Sequence, residues 1–421
     1  MNTITEKLEG GLGVVKGLQV AGVSAGFRKN PERLDLALIV APPASTAAGV
    51  FTQSNFAAAP VLLCRKHLAS QAESKDFRAL IINSGNANAA TGEPGLATAQ
   101  KVCSMVSEAV GCDNEEVLVA STGVIGAQLP HNPFSVGIPM AVNLLGSGRG
   151  ESIGMGVSTA EAIMTTDTFA KTAARSFTLP TEDGSEVICT IGGMAKGSGM
   201  IAPHMATMIA VLATDAALEQ AILQAALKEA VDVSFNKVTV DSDTSTNDSA
   251  YLIATGAASK KPLQPGSGAL EAFKAVLIEV CQDLTYQIAK DGEGATKVIV
   301  VDVTGAANSE EAELVARAIA DSPLVKTAVA GHDANWGRIA MAAGKAGASF
   351  KQEDVSISIL ELEVFTKGTP IEFSEEEASK RFEERDEILI SVDLGAGNGA
   401  TRIWTCDLTK EYIEINGDYR S

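Results

Sequence analysis

The chain has 421 residues, 46% of them hydrophobic, so it buries a large core without disulfide or metal staples and exceeds the usual size of one domain. Its 33 Lys and Arg stand against 52 Asp and Glu, a formal net charge of -19, which excludes a nucleic-acid backbone or an anionic membrane surface as partner because both demand clustered positive charge. Six cysteines (Cys64, Cys103, Cys112, Cys189, Cys281, Cys406) form no C-x-x-C pair and read as reduced, mostly buried residues, with neither a disulfide framework nor a zinc site indicated.

Met1 to Gly10 carries two Glu and no apolar run behind a basic stretch, so it reads as neither a secretory signal nor a transit peptide. Apolar runs such as Met208 to Ala213 fall far short of the roughly 20 residues that span a bilayer. The expected location is the cytoplasm. Residues 79–83 and 116–121 are rich in β-branched residues and close on Asn or Ser, which predicts strands. A helix is expected after Pro94, with Leu96, Ala99, Val102, Cys103, Val106 and Val110 on one face. A second is expected after Asp215 as N-cap, with Leu218, Ile222, Leu223 and Leu227 as its stripe. Both stripes are core. Further strands are predicted at 237–240 and 297–303, and a third helix at 309–321, where Glu310, Glu311 and Glu313 precede Leu314 and Ile319 and Ser322-Pro323 acts as a stop. The mixture indicates α/β or α+β. No internal repeat, low-complexity linker or long block of like charge marks a boundary.

Three Gly-rich, small-residue segments let backbone N–H groups approach an anion or a developing oxyanion: Asn83-Ser84-Gly85-Asn86-Ala87-Asn88, Ser121-Thr122-Gly123-Val124-Ile125-Gly126, and the run from Gly192 to Met200. None is a nucleotide motif, since Lys196 precedes Gly197-Ser198 rather than following a P-loop glycine, and each taken alone is a tight turn before it is a binding site. The acidic stretch from Asp241 to Ser249 lacks the Gly and Glu of a calcium loop and reads first as a hydrogen-bonding turn. The four histidines (His67, His131, His204, His332) include no i, i+4 pair for zinc, and no G-x-S-x-G elbow supports a serine triad.

The informative segment runs from Gly199 to Ala210. A loop containing Pro203 leads into a β-prone stretch, with the small Ala206 directly before Thr207. This segment resembles the self-cleavage site of the ornithine acetyltransferase (glutamate N-acetyltransferase) family, whose precursor is cut between an Ala and a Thr. The resemblance continues in order through Asn83 to Asn88, Ser121 to Gly126, Met164-Thr165-Thr166-Asp167-Thr168, Gly193 to Met200, Asp241 to Ser249, Asp291 to Lys297, Asn335-Trp336-Gly337-Arg338 and Ile415 to Arg420, over nearly the whole chain. Departures are His204 where Asn is usual, Ala334 where Pro is usual, Ser242 where Gly is usual and Ser421 where Thr usually ends the chain. None removes a reacting group.

The resemblance implies an α/β fold, an α+β layered sandwich with helices outside stacked sheets, cleavage between Ala206 and Thr207 into residues 1–206 and 207–421, and Thr207 as nucleophile. It places the oxyanion donors at Thr122 and Gly123 and the substrate contacts at Thr165, Lys196, Thr207, Glu293, Asn416 and Ser421. Thr166 stands as an alternative to Thr165. Taken as residues alone, Lys196 and Glu293 are solvated surface charges before they are ligands. The implied substrates are N-acetylornithine and glutamate in arginine biosynthesis, with no cofactor and no metal. Acetyl-CoA is the candidate second donor. The implied assembly is a heterotetramer of two copies of each piece. A self-processing amidohydrolase or aminopeptidase, with water as acceptor, is the competing enzyme class, and a non-catalytic amino-acid or phosphate binder left as one uncut chain is the competing non-enzyme.

Overall fold

A computed structural model describes residues 5–74, 76–145, 152–180, 186–202, 208–259 and 261–418. Ala206, Thr207, His204 and Ser421 lie outside the described residues. The chain forms two compact units, one within Met1–Gly197, His204–Asn236 and Thr244–Leu284, the other within Ser198–Pro203, Lys237–Asp243 and Thr285–Ser421.

In the first unit the described residues form nine strands: β1 (Thr5–Leu8), β2 (Gln19–Val23), β3 (Leu36–Phe51), β4 (Phe77–Asn86), β5 (Val117–Val124), β6 (Lys171–Pro180), β7 (Glu186–Lys196), β8 (Ile209–Thr214) and β9 (Ser249–Ala254). They hydrogen-bond in the order β1-β6-β7-β8-β9-β3-β4-β5, with β2 also on β3. The long β3 makes this possible. Its first half pairs with β2 and β4 and its second half with β9, with the change of partner at an irregularity near Ala44, whose φ is 65°. The parallel neighbours β8 and β9 are buried at every position, as unbroken apolar runs covered on both faces should be. The predicted strands at 79–83 and 116–121 lie in β4 and β5. The helix Gly92–Val110 holds Pro94 in its first turn and buries Ala99, Val102, Cys103 and Val106, as its spacing requires.

The second helix begins later than expected. It runs Gln220–Asp232 with Glu219 as N-cap, because Asp215 is used elsewhere: its Oδ1 accepts from the Thr190 amide at 2.7 Å. Burial pushes this Asp215 carboxyl up, against the Thr190 hydrogen bond and the Lys16 charge.

The second unit carries a six-stranded sheet in the order β13-β12-β11-β14-β10-β15, formed by β10 (Val298–Ala306), β11 (Ser356–Ile359), β12 (Leu362–Thr366), β13 (Thr369–Pro370), β14 (Glu387–Asp393) and β15 (Gly399–Cys406). The prediction at 297–303 falls in β10. The helix Ser309–Ala320 forms where expected, with the Asn308 side chain accepting from the Glu311 amide. Ser322-Pro323 ends it and also starts the helix Pro323–Ala330, since Ser322 caps Val325 and Pro is pre-shaped for the first turn. Residues 237–240 are not a strand. Val238 makes one isolated bridge to Trp404, whose carbonyl accepts from the Thr239 amide, while the Val240 amide donates to the Ile201 carbonyl and the Thr239 hydroxyl to Asp321, so the pairing goes no further. The mixed α/β architecture, with helices and two sheets, is the class anticipated from sequence.

Candidate active site

In the first unit, the parallel strands β4 and β5 end side by side in their Gly-rich segments. Gly123 has φ +131°, and a Cβ there would lie 2.3 Å from the Gly85 carbonyl carbon, so only glycine fits. Thr122 beside it is buried. Asn83 cross-ties the segment, accepting from the Ser121 hydroxyl at 2.6 Å and donating to the Asn86 carbonyl at 2.9 Å. Asn247 donates from the other side to the carbonyls of Ser121 (2.8 Å) and Ala87 (2.6 Å). Because the peptide is planar, holding the Ser121 carbonyl also fixes the direction of the Thr122 amide.

The next residue, Asp248, is 0% exposed, and its Oδ1 accepts from the Met208 amide at 3.0 Å while the Ser249 amide donates to the Met208 carbonyl at 3.0 Å. Its Oδ2 is buried without a hydrogen-bond partner among the described residues. Burial pushes this carboxyl well above the usual range, opposed by the Met208 amide and the Lys196 charge. Two adjacent side chains therefore tie the Thr122-Gly123 end of β5 to the start of β8. Sequence reading took 241–249 for a turn and missed these roles. The available signal was an amide and a carboxylate directly before the mostly apolar run Ser249–Ala254, a place where polar groups are buried and must bond.

Lys196 ends β7 opposite Ile209 and is 3% exposed, so it is not a solvated surface charge. Asp167 gathers the chain around it. One carboxylate oxygen accepts from the Lys171 ammonium (2.7 Å) and the Gly197 amide (2.6 Å), and the other from the Thr165 amide (2.8 Å). Burial opposes ionisation of Asp167, but the charges of Lys196 and Lys171, with hydrogen bonds from Lys171 and Thr165, outweigh it and hold the carboxyl well below its ordinary range. Arg33 bonds the Thr165 carbonyl. Thr165 and Thr166 are both half-buried.

Glu293 and Asn416 belong to the second unit. Glu293 is only 8% exposed and accepts from the Asn416 side chain at 2.7 Å, while its amide donates to the Ser198 carbonyl at 2.9 Å. A Cβ on Gly199 would come within 2.2 Å of the Glu293 carboxylate, so that glycine is a packing requirement. Asp407 supports the Glu293 loop from below, accepting from the amides of Thr296 (2.7 Å) and Lys297 (2.9 Å). Asp241 accepts from the amides of Met200 (2.6 Å) and Ile201 (2.7 Å) and from the Tyr412 hydroxyl (3.1 Å). Ser242, where the family usually has Gly, sits at φ 63°. Among the described residues no group of three or more His, Cys, Asp or Glu is arranged to hold a metal ion, and no helix is long and apolar enough to cross a membrane.

The sequence pattern of the ArgJ family matches residues 19–421. An arginine biosynthesis bifunctional protein from Agrobacterium fabrum is 44% identical over 412 residues, 97% of this chain and 96% of that one. Its counterpart from Symbiobacterium thermophilum is 44% identical over 417 residues, 99% of this chain and 100% of that one. Among solved structures, the Bacillus halodurans arginine biosynthesis bifunctional protein is 47% identical, covering 49% of this chain and 96% of its own, with a TM-score of 0.48. The ornithine acetyltransferase of Mycobacterium tuberculosis, complexed with ornithine, is 36% identical, covering 48% and 98%, with a TM-score of 0.41. The chain belongs to the ArgJ family and is an acyltransferase of arginine biosynthesis.

Proposed function

We propose that the protein cuts itself between Ala206 and Thr207 and then carries an acetyl group on Thr207 from N-acetylornithine to glutamate. The observation that carries this reading is the pair Asn247 and Asp248, which joins the Ser121 carbonyl beside Thr122 to the amide of Met208, the residue after Thr207. In the first step the Thr207 hydroxyl adds to the Ala206 carbonyl, the peptide C–N bond breaks, and water opens the ester. The products are an Ala206 carboxylate and a free α-amine on Thr207. That amine, with an ordinary pKa of about 7.7 to 8.0, is neutral often enough near pH 7 to take the hydroxyl proton.

The hydroxyl then attacks the acetyl carbonyl. Thr122 and Gly123 receive the oxyanion, each donor contributing about 2.7 to 4 kcal/mol. Collapse expels ornithine, whose nitrogen takes the proton, and the glutamate amine removes the acetyl group from Thr207 by the reverse sequence. Lys196 holds a substrate carboxylate, and Thr165, Glu293, Asn416 and Ser421 complete the contacts. No cofactor is required. Acetyl-CoA serves as a second donor, a reading supported by the word bifunctional in the relatives' names.

The two pieces stay associated because β7 belongs to residues 1–206 and its pairing partner β8 to 207–421, as do β3 and β9. We place the product, two copies of each piece, in the cytoplasm. Intact mass should show two chains, the second starting Thr207-Met208-Ile209, and one uncut chain for Thr207→Ala. Parallel double-reciprocal plots with trapped acetyl-Thr207 are expected. Acetate release without glutamate, at the rate of transfer, would instead identify a hydrolase.

A further inference from the structure

The arm of chain that leads to the proposed cleavage point is held more firmly than a connecting loop requires. Ile201 and Ala202 are buried. The Ile201 amide donates to Asp241 Oδ1 at 2.7 Å, and its carbonyl accepts from the Val240 amide at 2.8 Å and the Thr239 hydroxyl at 3.2 Å. One residue earlier, the Met200 amide donates to Asp241 Oδ2 at 2.6 Å. Met200 has φ 55°, a region that a residue with a side chain enters only where its surroundings hold it. One carboxylate thus fixes two consecutive amides. A further donor to it comes from far along the chain: the Tyr412 hydroxyl, on the helix Lys410–Gly417, bonds Asp241 Oδ2 at 3.1 Å. Burial, with the charge of Asp241, pushes this hydroxyl up, so near neutral pH it keeps its proton and donates.

The same helix reaches the arm by a second route, since the Asn416 side chain donates to Glu293, whose amide donates to the Ser198 carbonyl. At the start of the helix the Thr409 hydroxyl donates to the Gly294 carbonyl at 2.7 Å, and a Cβ on Gly294 would lie 2.6 Å from the Tyr412 amide nitrogen. All of these residues belong to the second unit. We propose that Asp241 and Tyr412 are positioning residues for self-cleavage: the C-terminal helix, through Tyr412, braces the carboxylate that sets Met200 and Ile201, so the cut before Thr207 waits for this helix to dock. This rests on the proposed self-cleavage. A hydroxyl adds to a peptide carbonyl only from a narrow range of geometries, and a loose upstream arm spreads the chain over many unproductive ones. The helix is the last element made, so a chain still being synthesised stays whole.

The test follows cleavage in the full-length chain during cell-free synthesis, as the fraction of new precursor converted to two chains with time. Glu414 is exposed in the middle of the helix, so Glu414→Pro breaks the helix without removing a packed side chain, and Glu414→Ala is its control. Glu414→Pro should slow cleavage by at least about 10-fold, and Glu414→Ala should leave it unchanged. Tyr412→Phe should slow it about 2-fold to 10-fold, the effect of one hydrogen bond. Because the brace acts through Asp241, Tyr412→Phe should cause no further slowing in an Asp241→Ala background, whereas a general loss of stability would act in both backgrounds. The same changes placed in Thr207→Ala, which keeps the chain whole, give thermal midpoints that separate misplacement from unfolding. Wild-type cleavage in Glu414→Pro, or equal slowing by Tyr412→Phe with and without Asp241, would overturn the brace. If Glu414→Pro does not fold, Tyr412→Phe and its pairing with Asp241→Ala decide alone. A wild-type chain that stays uncut sinks the self-cleavage reading and this inference with it. A cut wild type whose variants are cut equally fast sinks this inference only.

Discussion

The proposed contacts in the first unit and those in the second are held by different means. Lys196 and the Thr122-Gly123 segment sit at strand ends and Thr165 in the stretch between the helix Ile153–Ala162 and β6, and they are held by buried carboxylates and amides, Asp167, Asp248, Asn83 and Asn247, most of whose hydrogen bonds go to backbone. Glu293 and Asn416 sit on a loop and on the eight-residue helix Lys410–Gly417, and the bond between them involves an exposed Asn. Groups that meet developing charge must be in place beforehand, because reorganisation during the reaction costs what the interaction gains. Groups that discriminate between side chains tolerate looser support. On the proposed roles, the firmer support falls on the oxyanion donors and the contacts to the substrate carboxylate, and the looser on contacts that discriminate between side chains.

The largest break in this contrast should come from Lys196→Met, which keeps the aliphatic stem and removes the charge. A charge-assisted hydrogen bond contributes about 1.5 to 3 kcal/mol, so kcat/KM for N-acetylornithine should fall about 10-fold to 150-fold while self-cleavage persists. Unchanged steady-state constants would move the carboxylate site elsewhere.

Asp248→Asn should act next, through pH. The folded protein holds this carboxyl raised, so its stabilising contribution is present below the ordinary carboxylate value of about 3.9 and lost as pH rises toward the folded value. Asn lacks that loss. Denaturant titrations from pH 4 to 8 should therefore show the stability of the variant gaining on wild type as pH increases, and a pH-independent difference would mean Asp248 ionises normally. Asp167 has the opposite sign: its contribution is present above the ordinary carboxylate range and disappears as pH falls through its depressed value.

Asn416→Ala removes the bond to Glu293 in the looser set. A typical part-buried hydrogen bond contributes about 0.5 to 1.5 kcal/mol, so KM should rise about 2-fold to 10-fold, unequally for ornithine and glutamate derivatives, with kcat little changed. A larger loss in kcat than in KM would place Asn416 with the chemistry. The smallest effect belongs to Ser242→Gly. At φ 63° a side chain costs about 1 to 2 kcal/mol, partly offset by the freer unfolded chain of glycine, so the unfolding midpoint should rise slightly, by no more than about 1 kcal/mol of stability.

Much of the fold was legible because local rules coincide with it: Pro94, the Glu-rich start at Ser309 and the β-branched runs of β4, β5 and β10 all mark real elements. Residues 237–240 misled because their Val and Thr pattern satisfies strand propensity while their hydrogen bonds go to Ile201, Asp321 and Trp404, partners that sequence spacing cannot reveal. Asp215 misled for the same reason. At the site, the motifs named Lys196 and Thr122 through resemblance, but composition alone makes a lysine a surface charge, and only the strand pairing shows it buried. Asp167 and Asp248 escaped because their importance lies in what they hold.

The position of β8 and β9 inside the sheet, with β7 on one side and β3 on the other, has a consequence for the life of the molecule. Once the chain is cut before Thr207, the interior two-stranded ribbon and both of its flanks belong to different polypeptides. Dilution cannot release the ribbon without tearing two ladders at once, so the processed enzyme should be long-lived on a kinetic footing. Denatured processed chains, by contrast, must find each other and reinsert a ribbon into a slot, a bimolecular task that the uncut precursor performs within itself. Folding is then a single opportunity, taken before the cut, and refolding yield after denaturation should depend on protein concentration for the processed enzyme and far less for Thr207→Ala.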